Sequence, residues 1–279
     1  MVQKTEKRPD GNRTFSRRRY LMCRPTHFDV TYSINVWMDP SRPTSPSRGL
    51  EQWKGLHDTF GELGHDVQLI EPVPGLPDMV FSANGALVVG GRALVARFRN
   101  AQRVNESDAY LDWFRRAGWS DVRQAEYINE GEGDFLYTGA QILAGTGFRS
   151  DERAHHEVRD FFDVPVVSLT LVDPRFYHLD TALSVLGPGC IMYYPDAFSA
   201  ESRAVLADMF PDAVAATEED AVAFGLNAVS DGKHVIMPRQ ATGLAGRLRE
   251  RGFEPVGVDL DELLKAGGSV KCCTLELRD

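Results

Sequence analysis

Five times along this chain an amphipathic helical stretch meets a breaker and gives way to a short Val-rich run. Residues 51–63 stop at Gly64 before His65-Asp-Val-Gln-Leu-Ile, and residues 106–117 stop at Gly118 before Asp121-Val122. Residues 151–162 lead to Val164-Pro-Val-Val. A helix capped by Ser199 runs to Phe210-Pro211 and then Ala213-Val-Ala, and residues 240–251 stop at Gly252 before Pro255-Val-Gly-Val. Ser before a helix and Gly just after one are the expected start and stop signals. Hairpin-like segments with Gly turns, opening near Phe81, Gly133, Tyr177 and Leu226, separate these units. The last strand, Val270-Lys-Cys-Cys-Thr-Leu-Glu-Leu, lacks a hairpin partner, and the early strand Arg19-Tyr-Leu-Met-Cys-Arg lacks a neighbour. Pairing the two closes five units of roughly fifty residues into a ring, which makes residues 19–279 one domain. Residues 1–18 then fall outside it and read as a flexible basic tail.

Polar residues recur where each unit's first strand begins: Asn84, Asp134, His178, Asn227 and Cys272, spaced by 50, 44, 49 and 45 residues. In a radial array of similar blades, equivalent positions meet at the axis. Two amides, a carboxylate, an imidazole and a thiol would then share one cavity. A thiolate is a nucleophile, and an imidazole can protonate a leaving amine and then activate water. Asp180 follows His178 by two residues, which on a strand puts both side chains on one face. It is expected to orient the ring or to hold a cation. Ile128-Asn-Glu-Gly-Glu-Gly-Asp places three acids in five residues, suited to a guanidinium whose parallel N–H groups pair with carboxylates two at a time.

Composition narrows the remaining choices. Apolar residues make up 43% and charged residues 25%, enough for a folded core and unlike a disordered, collagenous or coiled-coil chain. The apolar runs are too short for a membrane span, and the basic N-terminus lacks the apolar stretch of a secretory signal, so a cytoplasmic location is expected. The first twenty residues hold seven Lys and Arg against two acids, which leaves −14 on the rest of a chain whose net charge is −9. Such an acidic body repels phosphate backbones and argues against nucleic acid as a partner. Four cysteines are no disulfide scaffold, no C-x-x-C or H-E-x-x-H occurs, and the seven histidines lack metal-ligand spacing. No metal is expected.

With Met22-Cys-Arg-Pro, Asn35-Val-Trp-Met, Pro77-Asp-Met-Val-Phe-Ser-Ala-Asn, Glu130-Gly-Glu-Gly-Asp, His178-Leu-Asp-Thr, Asn227-Ala-Val and Cys272 in this order, the chain resembles the guanidino-modifying (pentein) superfamily. That superfamily comprises dimethylarginine dimethylaminohydrolases, arginine deiminases and amidinotransferases. The resemblance implies a five-bladed α/β propeller, no cofactor, and a covalent amidino-thio intermediate on the cysteine. It implies Cys272 as nucleophile, His178 as general acid/base and Glu130 as the carboxylate supporting the histidine. Glu132 is a rival for that support, because one residue is inserted in the usual Glu-Gly-Gly-Asp spacing. By the same resemblance Asp134 and Asp180 hold the guanidinium, Arg97 meets the substrate carboxylate, and Asn35, Asn84 and Asn227 complete the substrate-binding set. Relatives usually carry an acid pair where Ala83 and Asn84 stand. Asn84, Asn35 and the widened motif are similar to the arginine dihydrolase branch, which takes arginine to ornithine, ammonia and carbon dioxide. A dimethylargininase, an amidinotransferase and a non-catalytic arginine-binding regulatory protein are the alternatives, and homo-oligomerisation is left open. The expected partner is a small guanidino molecule.

Overall fold

The computed structural model describes residues 13–279. In chain order the elements are β1 (Arg19–Cys23), α1 (Pro46–Glu62), β2 (Asp66–Ile70), β3 (Ala86–Val89), β4 (Arg92–Val95), α2 (Glu106–Arg116) and β5 (Asp121–Gln124). There follow β6 (Phe135–Tyr137), β7 (Ile142–Thr146), α3 (Arg153–Phe162), β8 (Val166–Thr170), the single turn α4 (Leu179–Ala182), β9 (Leu183–Gly187), β10 (Cys190–Tyr193), α5 (Ala200–Met209) and β11 (Val214–Ala215). The last are α6 (Glu218–Val222), β12 (Val229–Ser230), β13 (His234–Pro238), α7 (Thr242–Glu250), β14 (Glu254–Val258), α8 (Asp261–Leu264) and β15 (Leu275–Glu276).

These strands form five three-stranded sheets of one pattern. A first strand runs antiparallel to a second, which is joined by a helix to a parallel third. The fifth sheet is β15-β1-β2, with Leu21 opposite Leu275 and Tyr20 opposite Glu276, so the ring closes between the two ends of the fold as the repeat predicts. β1 shows why the apolar pattern suits this architecture. Tyr20 and Met22 pack on Trp53, Leu56 and Phe60 of α1, while Leu21 and Cys23 pack on Tyr110 and Phe114 of α2 in the next blade. A strand covered on both faces reads as an unbroken apolar run instead of an alternating one. Burying each such side chain is worth about 1.5–3 kcal/mol.

Two local expectations are corrected. Residues 179–182 form a helical turn, not a strand, so Asp180 and His178 do not share a face as period-2 reasoning requires. Likewise β15 spans only Leu275–Glu276. Cys272 sits on a preceding turn stitched by Cys273 N–H to the Ser269 carbonyl and Thr274 N–H to the Lys271 carbonyl. The five polar residues of the repeat therefore precede their strands, in the irregular connections at one end of the ring. The expected tail also ends earlier than residue 18. Ser16 N–H bonds the Asp231 carbonyl, Phe15 packs against His65 and His234, and Arg18 pairs with Glu276 at 2.7 Å. Residues 1–12 of that tail lie outside the described residues.

Candidate active site

The connection before each first strand delivers one of the five residues, and all five are buried. Asn227, ahead of β12, faces Cys272, ahead of β15. The Asn227 Nδ2 donates to the Cys272 Sγ at 3.1 Å, and the Cys272 N–H donates to the Asn227 Oδ1 at 3.2 Å. The thiol in turn donates to Asp180 Oδ2 at 3.3 Å. Asn227 thus hydrogen-bonds the nucleophile candidate at both its thiol and its backbone N–H. Burial pushes the Cys272 thiol well up, and the Asp180 charge adds to the effect. Burial likewise raises Asp180 to about 7, against the partial opposition of Lys271.

A second group surrounds His178. Its Nε2 lies 2.9 Å from Glu130 Oε2, which also accepts from Arg149 Nη1 at 2.7 Å, with Arg103 Nη1 at 3.7 Å. Burial alone would raise Glu130, but Arg149, His178 and Arg103 outweigh it and hold the carboxyl well below the usual range. Glu132 points elsewhere, to Lys271, Arg278 and the Glu276 N–H. The helical turn over Gly131–Gly133 sends the two acids in different directions, and of the two it is Glu130 that meets His178. That turn needs its glycines. Gly131 has φ +53°, and a Cβ there would stand 2.6 Å from the Ala86 carbonyl. A Cβ on Gly133 would meet Asn84 Nδ2 at 2.4 Å and His178 Nδ1 at 3.2 Å.

The groups are joined by α4, which begins just after His178 and carries Asp180. Asp134 accepts from Ser150 Oγ at 2.6 Å and from Leu179 N–H at 3.3 Å, which fixes the peptide after His178. Burial raises Asp134 to about 6. Both its oxygens are committed to this bracing, so Asp180 is left as the freer carboxylate for a cation.

Two of the sequence-predicted residues fall elsewhere. Arg97 is exposed, and only its backbone takes part, in a bridge with Asn129. Asn35 uses its side chain to hold the segment 34–38, accepting from Trp37 and Met38 N–H and donating to the Ala266 carbonyl. The buried cations of the site are Arg103 and Arg149, which the sequence reading missed. Arg103 grips Glu106 with two bonds of 2.8 Å and donates to Asn84 Oδ1 at 2.9 Å. Arg149 spans from Glu130 to the Ile34 carbonyl and stacks over Tyr177. The spacing of Arg103 and Glu106, three apart at the start of a helix, was the available signal for one of them.

Asp78 Oδ1, Glu130 Oε1, His178 Nδ1 and Asp180 Oδ1 are all buried without a hydrogen-bond partner among the described residues. Buried polar atoms are normally paired, and leaving one unpaired costs about 1–3 kcal/mol. Three carboxylate oxygens and an imidazole nitrogen in this condition suit a ligand rich in N–H donors. Among the described residues no group of three His, Cys, Asp or Glu could hold a metal ion, and no helix is long and apolar enough to cross a membrane.

The profile of the eukaryotic N,N-dimethylarginine dimethylhydrolase family matches residues 26–279. The chain belongs to this family. It is 54% identical to the N(G),N(G)-dimethylarginine dimethylaminohydrolase of Mycobacterium tuberculosis over 96% of this chain and 88% of that one. It is also 40% identical, over 94% of its length, to the bifunctional arginine dihydrolase/ornithine cyclodeaminase ArgZ of Synechocystis, of which it spans only 38%. The substrate-bound N-terminal domain of ArgZ superposes with a TM-score of 0.90 at 40% identity, covering 94% of this chain and 98% of that one. A dimethylarginine dimethylaminohydrolase carrying an S-methyl-L-thiocitrulline adduct shares the fold, with a TM-score of 0.81 at 18% identity, covering 95% of this chain and all of that one. The five-bladed α/β propeller is therefore the family fold, and this member is a hydrolase of carbon–nitrogen bonds.

Proposed function

We propose that the enzyme hydrolyses the guanidino group of L-arginine through a covalent intermediate on Cys272, and that it acts as an arginine dihydrolase. A guanidinium against Asp180 brings positive charge beside the thiol and favours the thiolate that burial otherwise suppresses. The thiolate attacks the guanidino carbon, the thiol proton passes to His178, and His178 gives it to the departing ammonia. His178, held by Glu130, then draws a proton from the water that resolves the amidino-thio bond. Arg149 has more uncommitted N–H groups than Arg103 and takes the role expected of Arg97 at the substrate carboxylate. Cys272 is only 2% exposed, so the site must open for entry.

The observation that carries the dihydrolase reading is the orientation of Asn84. Arg103 holds its Oδ1, which leaves the amide N–H groups for the site, where Nδ2 has only a 3.4 Å contact to the Glu130 carbonyl. A carboxylate there would favour the cationic substrate and release the neutral ureido product. An N–H donor there welcomes a ureido oxygen and so retains citrulline for a second hydrolysis. Product analysis with arginine, monomethylarginine and dimethylarginine in parallel tests this. Ornithine with two equivalents of ammonia from arginine is the expected result. Citrulline from dimethylarginine with arginine untouched would establish the second reading, dimethylargininase, which the 54% identical relative favours.

Two further outcomes follow from the geometry. Asp180 should impose an acid limb on kcat/KM centred near pH 7, since protonation removes its hold on the cation. Asp180→Asn should erase that limb and lower kcat/KM about 100-fold, as a pH–rate profile would read. The same group acts oppositely on stability. Its folded value lies above the ordinary 3.8, so its contribution is full below that pH and is lost as pH rises through about 7. For the carboxylate end, Arg149→Ala should raise KM at least about tenfold, while Arg97→Ala should leave it within about twofold. Equal effects of the two would contradict the assignment.

A further inference from the structure

One buried acid has no part in the chemistry at the thiol: Glu106, the first residue of α2. A carboxylate is almost never fully buried unless it is paired. Its partner is Arg103, three residues earlier in the connection after β4. Glu106 Oε1 accepts from Arg103 Nε and Glu106 Oε2 from Nη2, both at 2.8 Å. Two bonds between planar groups fix the plane of the guanidinium. Phe98 lies against that plane, with its ring centre 4.6 Å from the guanidinium carbon, and Nη2 also reaches the Asp78 carbonyl at 3.3 Å. The remaining nitrogen, Nη1, is thereby aimed at Asn84 Oδ1, 2.9 Å away.

Arginine carries donors only, so this contact makes the Asn84 amide present its oxygen to Arg103 and its N–H groups to the site. The amide has little else to hold it that way, since Nδ2 makes only the 3.4 Å contact to the Glu130 carbonyl. Two other acids compete for Arg103: Asp78 Oδ2 lies 3.8 Å from Nε, and Glu130 Oε2 lies 3.7 Å from Nη1. Without the charge of Glu106 the guanidinium turns toward these two and lets Asn84 go. An amide so released can rotate about its last side-chain bond and offer an oxygen where it had offered N–H. That oxygen repels a ureido oxygen instead of holding it.

We propose that Glu106 is a positioning residue that sets how many hydrolytic steps each arginine undergoes, by holding Arg103 and through it the Asn84 amide. The proposal rests on the dihydrolase reading given above. Its measure is the ratio of citrulline to ornithine released from L-arginine by the full-length enzyme, which a purely structural residue would not move. Glu106→Gln should raise that ratio at least about fivefold, the effect of losing a hydrogen bond to a charged group. The rate of arginine consumption should fall by a smaller factor. Glu106→Asp keeps the charge but shortens the reach, so its ratio should lie between those of wild type and Glu106→Gln, and it carries the test if Glu106→Gln does not fold. Asp220→Asn breaks a different acid–arginine pair, with Arg247 between α6 and α7, and should destabilise the protein with the ratio unchanged. An equal rise in Asp220→Asn would overturn the proposal. Citrulline alone from the wild type would end the dihydrolase reading and this proposal with it. Ornithine from the wild type, citrulline from Asn84→Asp and an unchanged ratio in the folded Glu106 variants would overturn this proposal alone.

Discussion

Replacing Cys272 by Ser is expected to lower kcat by about 10⁴-fold or more while leaving arginine binding within a few-fold of wild type. The split follows from the geometry. Asn227 and Asp180 can hydrogen-bond a hydroxyl as they do the thiol, so the pocket keeps its shape and its carboxylates. What disappears is the nucleophile, since a serine hydroxyl is a far weaker acid than a thiol and a guanidinium beside Asp180 does not ionise it. His178 is turned toward Glu130 through Nε2. Calorimetric titration with arginine reads the binding half, and a single-turnover assay reads the chemistry. Acid-quenched wild-type enzyme should carry an amidino adduct on the peptide containing Cys272, and the variant should carry none there. Turnover by Cys272→Ser near the wild-type rate would sink the covalent mechanism.

Glu130→Gln should damage both catalysis and folding, and the two losses can be separated. The carboxylate stabilises the imidazolium form of His178 in each proton transfer, so its loss should cost about 10²–10⁴-fold in kcat. It also neutralises Arg149 in a site where both are buried. Removing one partner of a buried pair leaves an uncompensated charge and costs about 3–5 kcal/mol. Urea denaturation should therefore show a large drop in midpoint, whereas Cys272→Ser should show almost none. The matching change at Glu132 offers a contrast. Glu132→Gln should be destabilising through Lys271 and Arg278 without the same loss of kcat, because Glu132 makes no contact with His178. A kcat for Glu130→Gln within tenfold of wild type would remove Glu130 from the mechanism.

Much of this was legible before any coordinates, and the reason is periodicity. Asn84, Asp134, His178, Asn227 and Cys272 could be found together because a near-regular spacing forces equivalent positions onto one axis. Readings that depended on extrapolating a local conformation fared worse. Asp180 was placed beside His178 by assuming a strand, and a single helical turn instead carries it to the thiol. The resemblance assigns Arg97 to the substrate carboxylate, yet its side chain is exposed. The two arginines that do enter the site stand in equivalent connections, after β4 and β7, away from the first-strand positions that the repeat picks out. Their significance comes from burial against Glu106 and Glu130, a three-dimensional fact with little trace in a one-dimensional string. The resemblance places Asn35 in the substrate-binding set, but its side-chain hydrogen bonds go to Trp37, Met38 and the Ala266 carbonyl.

The pairing of β15 with β1 has a bearing on how the enzyme comes into being. Leu21 meets Leu275 across more than 250 residues of intervening chain, among the most distant contacts this fold contains. Loop closure over such a span is an entropic toll that favours late formation. Cys272 precedes β15 by three residues, and Asn227 and Asp180 secure it only once that strand has docked. The reactive sulfur is thus held by partners from two other blades at the seam where the two ends of the fold meet.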